Sequence, residues 1–219
     1  MAVFVCAAVA AALAATVKPA LGGLVHSTRA VAVTAPSTPS SNWSGYAVTS
    51  PTATAVSYTS VTGTWTVPTA NCTPADAGAS SAVWVGLGGY SETSQELEQT
   101  GTSADCDQAG HASYYIWYEL VPADSVNLKV KIMPGDVIAS SVVVNGTDVL
   151  VQVNDRTRHV IFTRHLSMAS PDLSSAEWIA EAPSQCSDSG YCPQLSLTRF
   201  TPVVFTRSFA KGNNAGGTI

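Results

Sequence analysis

Charge is scarce in this chain: 11% of its 219 residues are Asp, Glu, Lys or Arg, against about 25% in an ordinary soluble domain. That scarcity excludes a coiled coil and a highly charged disordered tail, both of which need ionic residues in number. Bases are the scarcer sign, 10 against 15 acids, and they are nowhere clustered, so the electrostatic footprint of a nucleic-acid binder is missing. Also missing are a Gly-x-Ser-x-Gly elbow, a His-Glu-x-x-His helix, a phosphate-cradling glycine loop and the paired Asp-Thr/Ser-Gly triplets of pepsin-like enzymes. His26, His111, His159 and His165 are scattered, none in a context that suggests a serine triad, and there is no Cys-x-x-Cys. No metal site and no cofactor is therefore expected.

What is present begins with an uncharged run of Ala, Val, Leu and Phe from Ala2 to Val17. It is too short for a confident membrane span and suits the apolar region of a secretory leader. Small-residue sites at Ala12 to Ala14 and at Ala30 to Ala32 both offer cleavage, and Ala35 to Ser41 reads as a Pro- and Ser-rich linker. The expected division is 1–39 as leader and short pro-segment or linker, and 40–219 as one domain. The expected product is secreted, with no membrane contact after leader removal, and monomeric. All acids lie beyond residue 35, leaving 8 bases against 15 there. Such a chain gains little positive charge when its carboxylates protonate, and few of its contacts can be ion pairs that acid removes.

Cysteine usage agrees with export. Beyond Cys6 stand Cys72, Cys106, Cys186 and Cys192, an even set for an oxidising compartment. A Cys186–Cys192 bridge around a short loop is the most economical pairing and leaves Cys72 for Cys106, each with Cα atoms ~4.4–6.8 Å apart.

The periodicity is that of strands. Residues Val126 to Ile132 alternate strictly, and β-branched or aromatic runs occupy Val56 to Val67, Ser81 to Leu87, Tyr114 to Val121, Val137 to Val144, Val149 to Val153, His159 to Thr163, Ala176 to Glu181 and Leu195 to Phe205. Pro134-Gly135-Asp136, Asn145-Gly146 and Gly88-Gly89 punctuate them, and no segment of the mature chain sustains a helical period over ten residues. The expected class is all-β, an antiparallel two-sheet sandwich.

Carboxylates and an amide fall on these strands. In Glu177-Trp178-Ile179-Ala180-Glu181 the two-residue period puts Glu177, Ile179 and Glu181 on one face and Trp178 and Ala180 on the other. In Glu96-Leu97-Glu98-Gln99-Thr100-Gly101, Leu97 and Gln99 oppose Glu96 and Glu98, and the pattern leaves open which pair points inward.

Six ordered blocks span Ser41 to Phe205: Asn42-Trp43-Ser44-Gly45, Gly63-Thr64-Trp65, Trp84-Val85-Gly86, Gln99-Thr100-Gly101, Trp117-Tyr118-Glu119 and Glu177-Trp178-Ile179-Ala180-Glu181. Together they resemble the glutamic peptidases, or eqolisins. The resemblance implies a concanavalin-like β-sandwich and a secreted, acid-acting, pepstatin-insensitive endopeptidase that hydrolyses polypeptides with a Gln/Glu dyad and no metal. It implies Gln99 and Glu181 as the catalytic pair, Trp43 and Trp84 lining the substrate cleft, and Glu119 and Glu177 as supporting carboxylates. Glu181 would take a proton from water and return it to the leaving amine, while Gln99 steadies the oxyanion. Activity would centre near the pKa of that one carboxylate, ~4.3 if unperturbed, and be negligible at neutrality.

Two departures accompany the resemblance. Many members carry Asp two residues after the Gly of Trp-Val-Gly, where this chain has Gly88, so a carboxylate that would order the cleft is absent. The chain also stops at Ile219, where further strands are expected, which suggests an incomplete C-terminus. Two other functions fit a sandwich rich in Glu and Trp. A glycoside hydrolase would use two of Glu98, Glu119, Glu177 and Glu181 across a cleft, and a carbohydrate-binding domain needs no mutual geometry among them.

Overall fold

Val142, Val144, Val149, Val151 and Val153 alternate with polar or half-exposed neighbours, and that two-residue period builds the simplest part of the molecule. In the computed structural model these residues form a hairpin of β8 (Val137–Asn145) and β9 (Asp148–Asp155), whose inward side chains are buried at every second position. Gly146, at φ +62, takes the first turn position, where an L side chain would be disfavoured. The structure describes residues 37–50, 55–187, 189–213 and 215–219, together with the backbone of Phe4–Val5. The leader and its cleavage sites otherwise lie outside the described residues.

In chain order the strands are β1 (Phe4–Val5), β2 (Trp43–Thr49), β3 (Tyr58–Thr66), β4 (Ser80–Gly88), β5 (Leu97–Cys106), β6 (Ala112–Val121), β7 (Val126–Leu128), β8, β9, β10 (Val160–Ser167), β11 (Ser175–Glu181), β12 (Thr206–Gly212) and β13 (Ala215–Gly217). One 3-10 turn, Pro74–Asp76, precedes β4. They form two sheets, β1-β2-β11-β4-β5-β6-β7 and β10-β9-β8-β3-β12-β13. Every pairing is antiparallel except β1 on β2. The expected all-β sandwich is observed.

Between the sheets lies the main core, with Val61, Trp65, Val85, Leu87, Ile138, Val142 and Trp178 among its buried members. Its two tryptophans keep their indole N–H groups satisfied, Trp65 donating to Thr102 Oγ1 at 3.0 Å and Trp178 to the Thr62 carbonyl at 2.7 Å. Burying an aromatic with a polar edge is favourable only when that edge finds a partner. A second apolar cluster of Trp43, Ala82, Trp84, Leu97, Trp117 and Ile179 lies on the opposite face of the first sheet. That sheet is therefore covered on both faces, and all nine residues of β4 are buried.

The strand readings need three amendments. Leu195 to Phe205 is not a strand: the segment touches its neighbours through single bridges at Leu197 and Phe200, and the ladder forms over β12 instead. Pro202 cannot donate to a ladder, which accounts for the shift. The alternating run from Val126 pairs only as far as Leu128, at the sheet edge. Conversely, β2 and the full length of β5 have no continuous apolar run to announce them.

Both expected disulfides are present, Cys72–Cys106 and Cys186–Cys192, with Cα separations of 5.4 and 3.9 Å. The second is closer than expected because Gln185 N–H donates to Pro193 and Ser187 N–H to Tyr191, leaving the two cysteines opposed at a narrow, non-hydrogen-bonded ladder position.

Candidate active site

Register decides which side chains meet on the outer face of the first sheet. Residues directly opposite one another share a face, so Glu177, Gly86, Gln99 and Glu119 form one row across β11, β4, β5 and β6. The next row is Ile179, Trp84, Gly101 and Trp117, and the one after is Glu181, Ala82, Ser103 and Tyr115, with Trp43 of β2 opposite Glu181. Gln99 therefore points to this face together with Leu97, which answers the question the β5 pattern left open. Glu98 points the other way, on the face of Leu87, and is buried without an ion pair.

A cleft of about 890 Å³ opens over these rows, and Trp43, Gln99, Trp117, Glu119 and Glu181 all line it. The loop between β4 and β5 forms one wall, and the segment carrying the Cys186–Cys192 bridge contributes another. Of the six residues singled out from the sequence, four therefore share one cavity. Trp84 and Glu177 do not line it. Trp84 is wholly buried beneath Trp43, their rings edge to face at 4.9 Å between centroids, so it forms the floor and not the surface. Glu177 is fully buried, with neither carboxylate oxygen hydrogen-bonded, so it is no contact for a substrate.

Glu181 is held at both oxygens. Trp84 Nε1–H donates to Oε2 at 2.8 Å and Asn42 Nδ2–H to Oε1 at 3.2 Å. Its pKa is pushed up to about 7, chiefly by burial and further by the nearby Glu119, against the lowering effect of the Trp84 and Trp43 indoles and the Asn42 amide. That lies well above the ~4.3 of an unperturbed glutamate.

Gln99 is held from its other side, its Nε2–H donating to Glu119 Oε2 at 2.6 Å. Glu119 is itself raised, chiefly by burial, against the lowering effect of that hydrogen bond. Three polar atoms in the cleft region are buried without a protein partner: Gln99 Oε1, Trp43 Nε1 and Trp117 Nε1. Of these, Trp43 Nε1 lies near enough to Glu181 to lower its pKa, and Gln99 Oε1 is an unpaired acceptor; a pocket of apolar walls with a few convergent polar atoms is the usual form of a binding site. Among the described residues no group of three or more His, Cys, Asp and Glu side chains gathers as a metal site.

The Peptidase A4 family profile matches residues 41–219. The chain belongs to that family, the glutamic peptidases, and is a peptidase. Its fold is similar to that of scytalido-glutamic peptidase, solved with a transition state analog inhibitor, at 25% identity and a TM-score of 0.68 over 81% of this chain and 83% of that one. It is also similar to SCP-B, a member of the eqolisin family solved in complex with the tripeptide Ala-Ile-His, at 23% identity and a TM-score of 0.63 over 81% of this chain and 86% of that one. A search of curated proteins found no match.

Two site residues escaped the sequence reading. Asn42 stands in the Asn-Trp block, but nothing local says that its amide reaches Glu181, 139 positions away. Tyr115 shares the Glu181 row and lines the cleft, its hydroxyl pKa raised by burial and by Asp105. Pairing β5 with β6 by register would have placed it there.

Proposed function

We propose that this glutamic peptidase is a secreted endopeptidase of mildly acid medium in which Gln99 and Glu181 form the catalytic dyad. The observation that carries the proposal is that both side chains line one cleft, each fixed by neighbours: Glu181 by Trp84 and Asn42, Gln99 by Glu119, with the Gln99 carbonyl oxygen left without a protein partner.

Peptide hydrolysis needs a base for water, a donor to the developing oxyanion and an acid for the leaving amine. Ionised Glu181 takes a proton from a water that the Gln99 carbonyl oxygen accepts and orients. As the tetrahedral intermediate forms, the second N–H of the Gln99 amide, the one not given to Glu119, is free for the oxyanion. Glu181 then returns its proton to the amine nitrogen, the C–N bond breaks, and the carboxylate is regenerated. A general acid and base works best with a pKa near the operating pH. A value of about 7 for Glu181 therefore favours mildly acid conditions over strongly acid ones. Two disulfides suit an oxidising, extracellular setting.

A glycosidase would need Glu119 and Glu181 as an acid and nucleophile pair. The bond from Gln99 to Glu119 occupies one of those carboxylates, and family membership favours the peptide bond. Digestion of an acid-denatured protein, with products sequenced, tests the proposal. Wild type should cleave between pH ~4.5 and ~7, unaffected by chelators or pepstatin, and Glu181→Gln should fold normally and cleave nothing. Retention of activity by Glu181→Gln, or inhibition by either reagent, would refute the dyad.

A further inference from the structure

The cleft wall between β4 and β5 begins at two glycines, Gly88 and Gly89, with φ of +80 and +81. Residues 89–97 supply much of that wall, yet among the described residues no ladder holds 89–96. Beside a 3.5 Å contact of the Tyr90 hydroxyl with Thr38 Oγ1, a carboxylate from a distant part of the chain does so. Asp172 Oδ2 accepts the Gly89 N–H at 3.2 Å and the Ser94 hydroxyl. That same hydroxyl accepts the Gly89 N–H at 3.1 Å and lies 3.0 Å from the Glu96 carbonyl. On its other side Asp172 is tied to the approach to β11, its Oδ1 accepting the Ser174 N–H at 2.9 Å and its own N–H donating to Glu98 Oε1 at 3.2 Å.

Gly88 shows that this arrangement excludes another. A Cβ at position 88 would lie 2.5 Å from Asp172 Cβ and 2.7 Å from its carbonyl oxygen. Contacts that short with backbone are not tolerated, so a side chain at 88 is incompatible with residue 172 in its present place. We propose that Asp172, from the β10–β11 connection, is the positioning residue that fixes this wall of the cleft. It straps the loop to the strand that carries Glu181. Although burial pushes the Asp172 pKa up, the hydrogen bonds from Ser94, Ser174 and Gly89 more than offset it, so the strap is an ionised group with charge-assisted bonds.

The inference deepens the peptidase reading and rests on it only for its kinetic arm. Hydrogen exchange over 89–96 and peptide kinetics would be measured for wild type, Asp172→Ala and the near-isosteric Asp172→Asn. A loosened wall weakens ground state and transition state alike. Asp172→Ala should therefore raise KM for an extended peptide about tenfold while kcat changes by less than about threefold. Amide exchange in the loop should quicken by at least about tenfold, because a bond that held it closed is gone. Asp172→Asn should move both readouts in the same direction by less. Unchanged exchange and KM in both single variants would overturn the proposal, as would a fall in kcat at constant KM, which would place Asp172 in the chemistry. Should Asp172→Ala fail to fold, Asp172→Asn decides by the same criteria. Should wild type cleave no peptide, the peptidase reading fails and the exchange result still decides the strap.

Discussion

Trp84 donates its indole N–H to Glu181 across 2.8 Å while its six-membered ring lies over Gly86, where a Cβ would come within 2.9 Å of it. One buried side chain thus ties the Trp-Val-Gly block to the Glu-Trp-x-x-Glu block. The bond favours the ionised form of Glu181. Trp84→Phe keeps most of the ring and removes the donor, so the Glu181 pKa should rise and the base form become rarer at any mildly acid pH. The rising limb of kcat/KM against pH should move upward, with turnover at pH ~5 down about tenfold. An unmoved limb would show that the indole serves packing alone.

Gly86→Ala tests the same relationship from below. The added methyl would meet the Trp84 ring at 2.9 Å and the Glu98 carbonyl at 3.1 Å. With β4 buried on both faces the ring has nowhere to retreat except toward the cleft. The expected result is a loss of roughly 1–3 kcal/mol in stability, with a fall in activity larger than that of Trp84→Phe because Glu181 itself is displaced. Chemical denaturation and peptide turnover measure the two.

The fold was legible where strands fall on β-branched or aromatic runs, and β8, β9 and β11 read directly from them. The segment before β12 did not, because its apolar content serves isolated bridges and Pro202 forbids a ladder. At the site, Gln99 and Glu181 were legible only through their motifs. Pattern could not say which face of β5 is inward, since Glu98 and Gln99 are both buried, on opposite faces of a sheet covered on both. Trp84, which the resemblance implies as a cleft-lining residue, lies buried beneath Trp43, because nothing in a tryptophan's local sequence says that another covers it. Asn42 and Asp172 act over separations of 139 and 78 to 83 residues, which only tertiary structure reveals.

Gln99→Glu should convert the Gln99–Glu119 contact, now 2.6 Å, into a pair of facing carboxyls. Two acids at that distance share one proton, and the pair as a whole titrates in two steps. Turnover should fall about 10²–10³ because an anion cannot donate to an oxyanion. What activity remains should be confined to the acid end of the profile, where the pair keeps its proton. Residual activity that instead grew toward neutrality would mean that Gln99 does not face the oxyanion.

The last prediction concerns stability. Four carboxyls of this sheet have raised pKa values: Glu98 to about 8, Glu181 to about 7, and Glu119 and Glu177 upward as well, in each case chiefly through burial. Glu98 and Glu177 also repel one another and Asp172. In the unfolded chain all four titrate near ~4.3. Between that pH and the folded values the native state binds more protons than the unfolded one, so stability falls as pH rises through the window and is greatest below it. The fold should be acid-stable and weaken from pH ~4.5 to ~8, the reverse of a protein held by carboxylate ion pairs. Several kcal/mol are at stake, worth on the order of 10 °C in Tm for a domain of this size. Thermal melts at pH ~4.5 and ~7.5 give the difference directly. Glu98→Gln should shrink it, because the amide is permanently in the neutral state that the buried site favours, and Glu177→Gln should do the same independently. A Tm that rises toward neutrality, or one indifferent to both substitutions, would show that these carboxyls ionise in the folded protein without penalty.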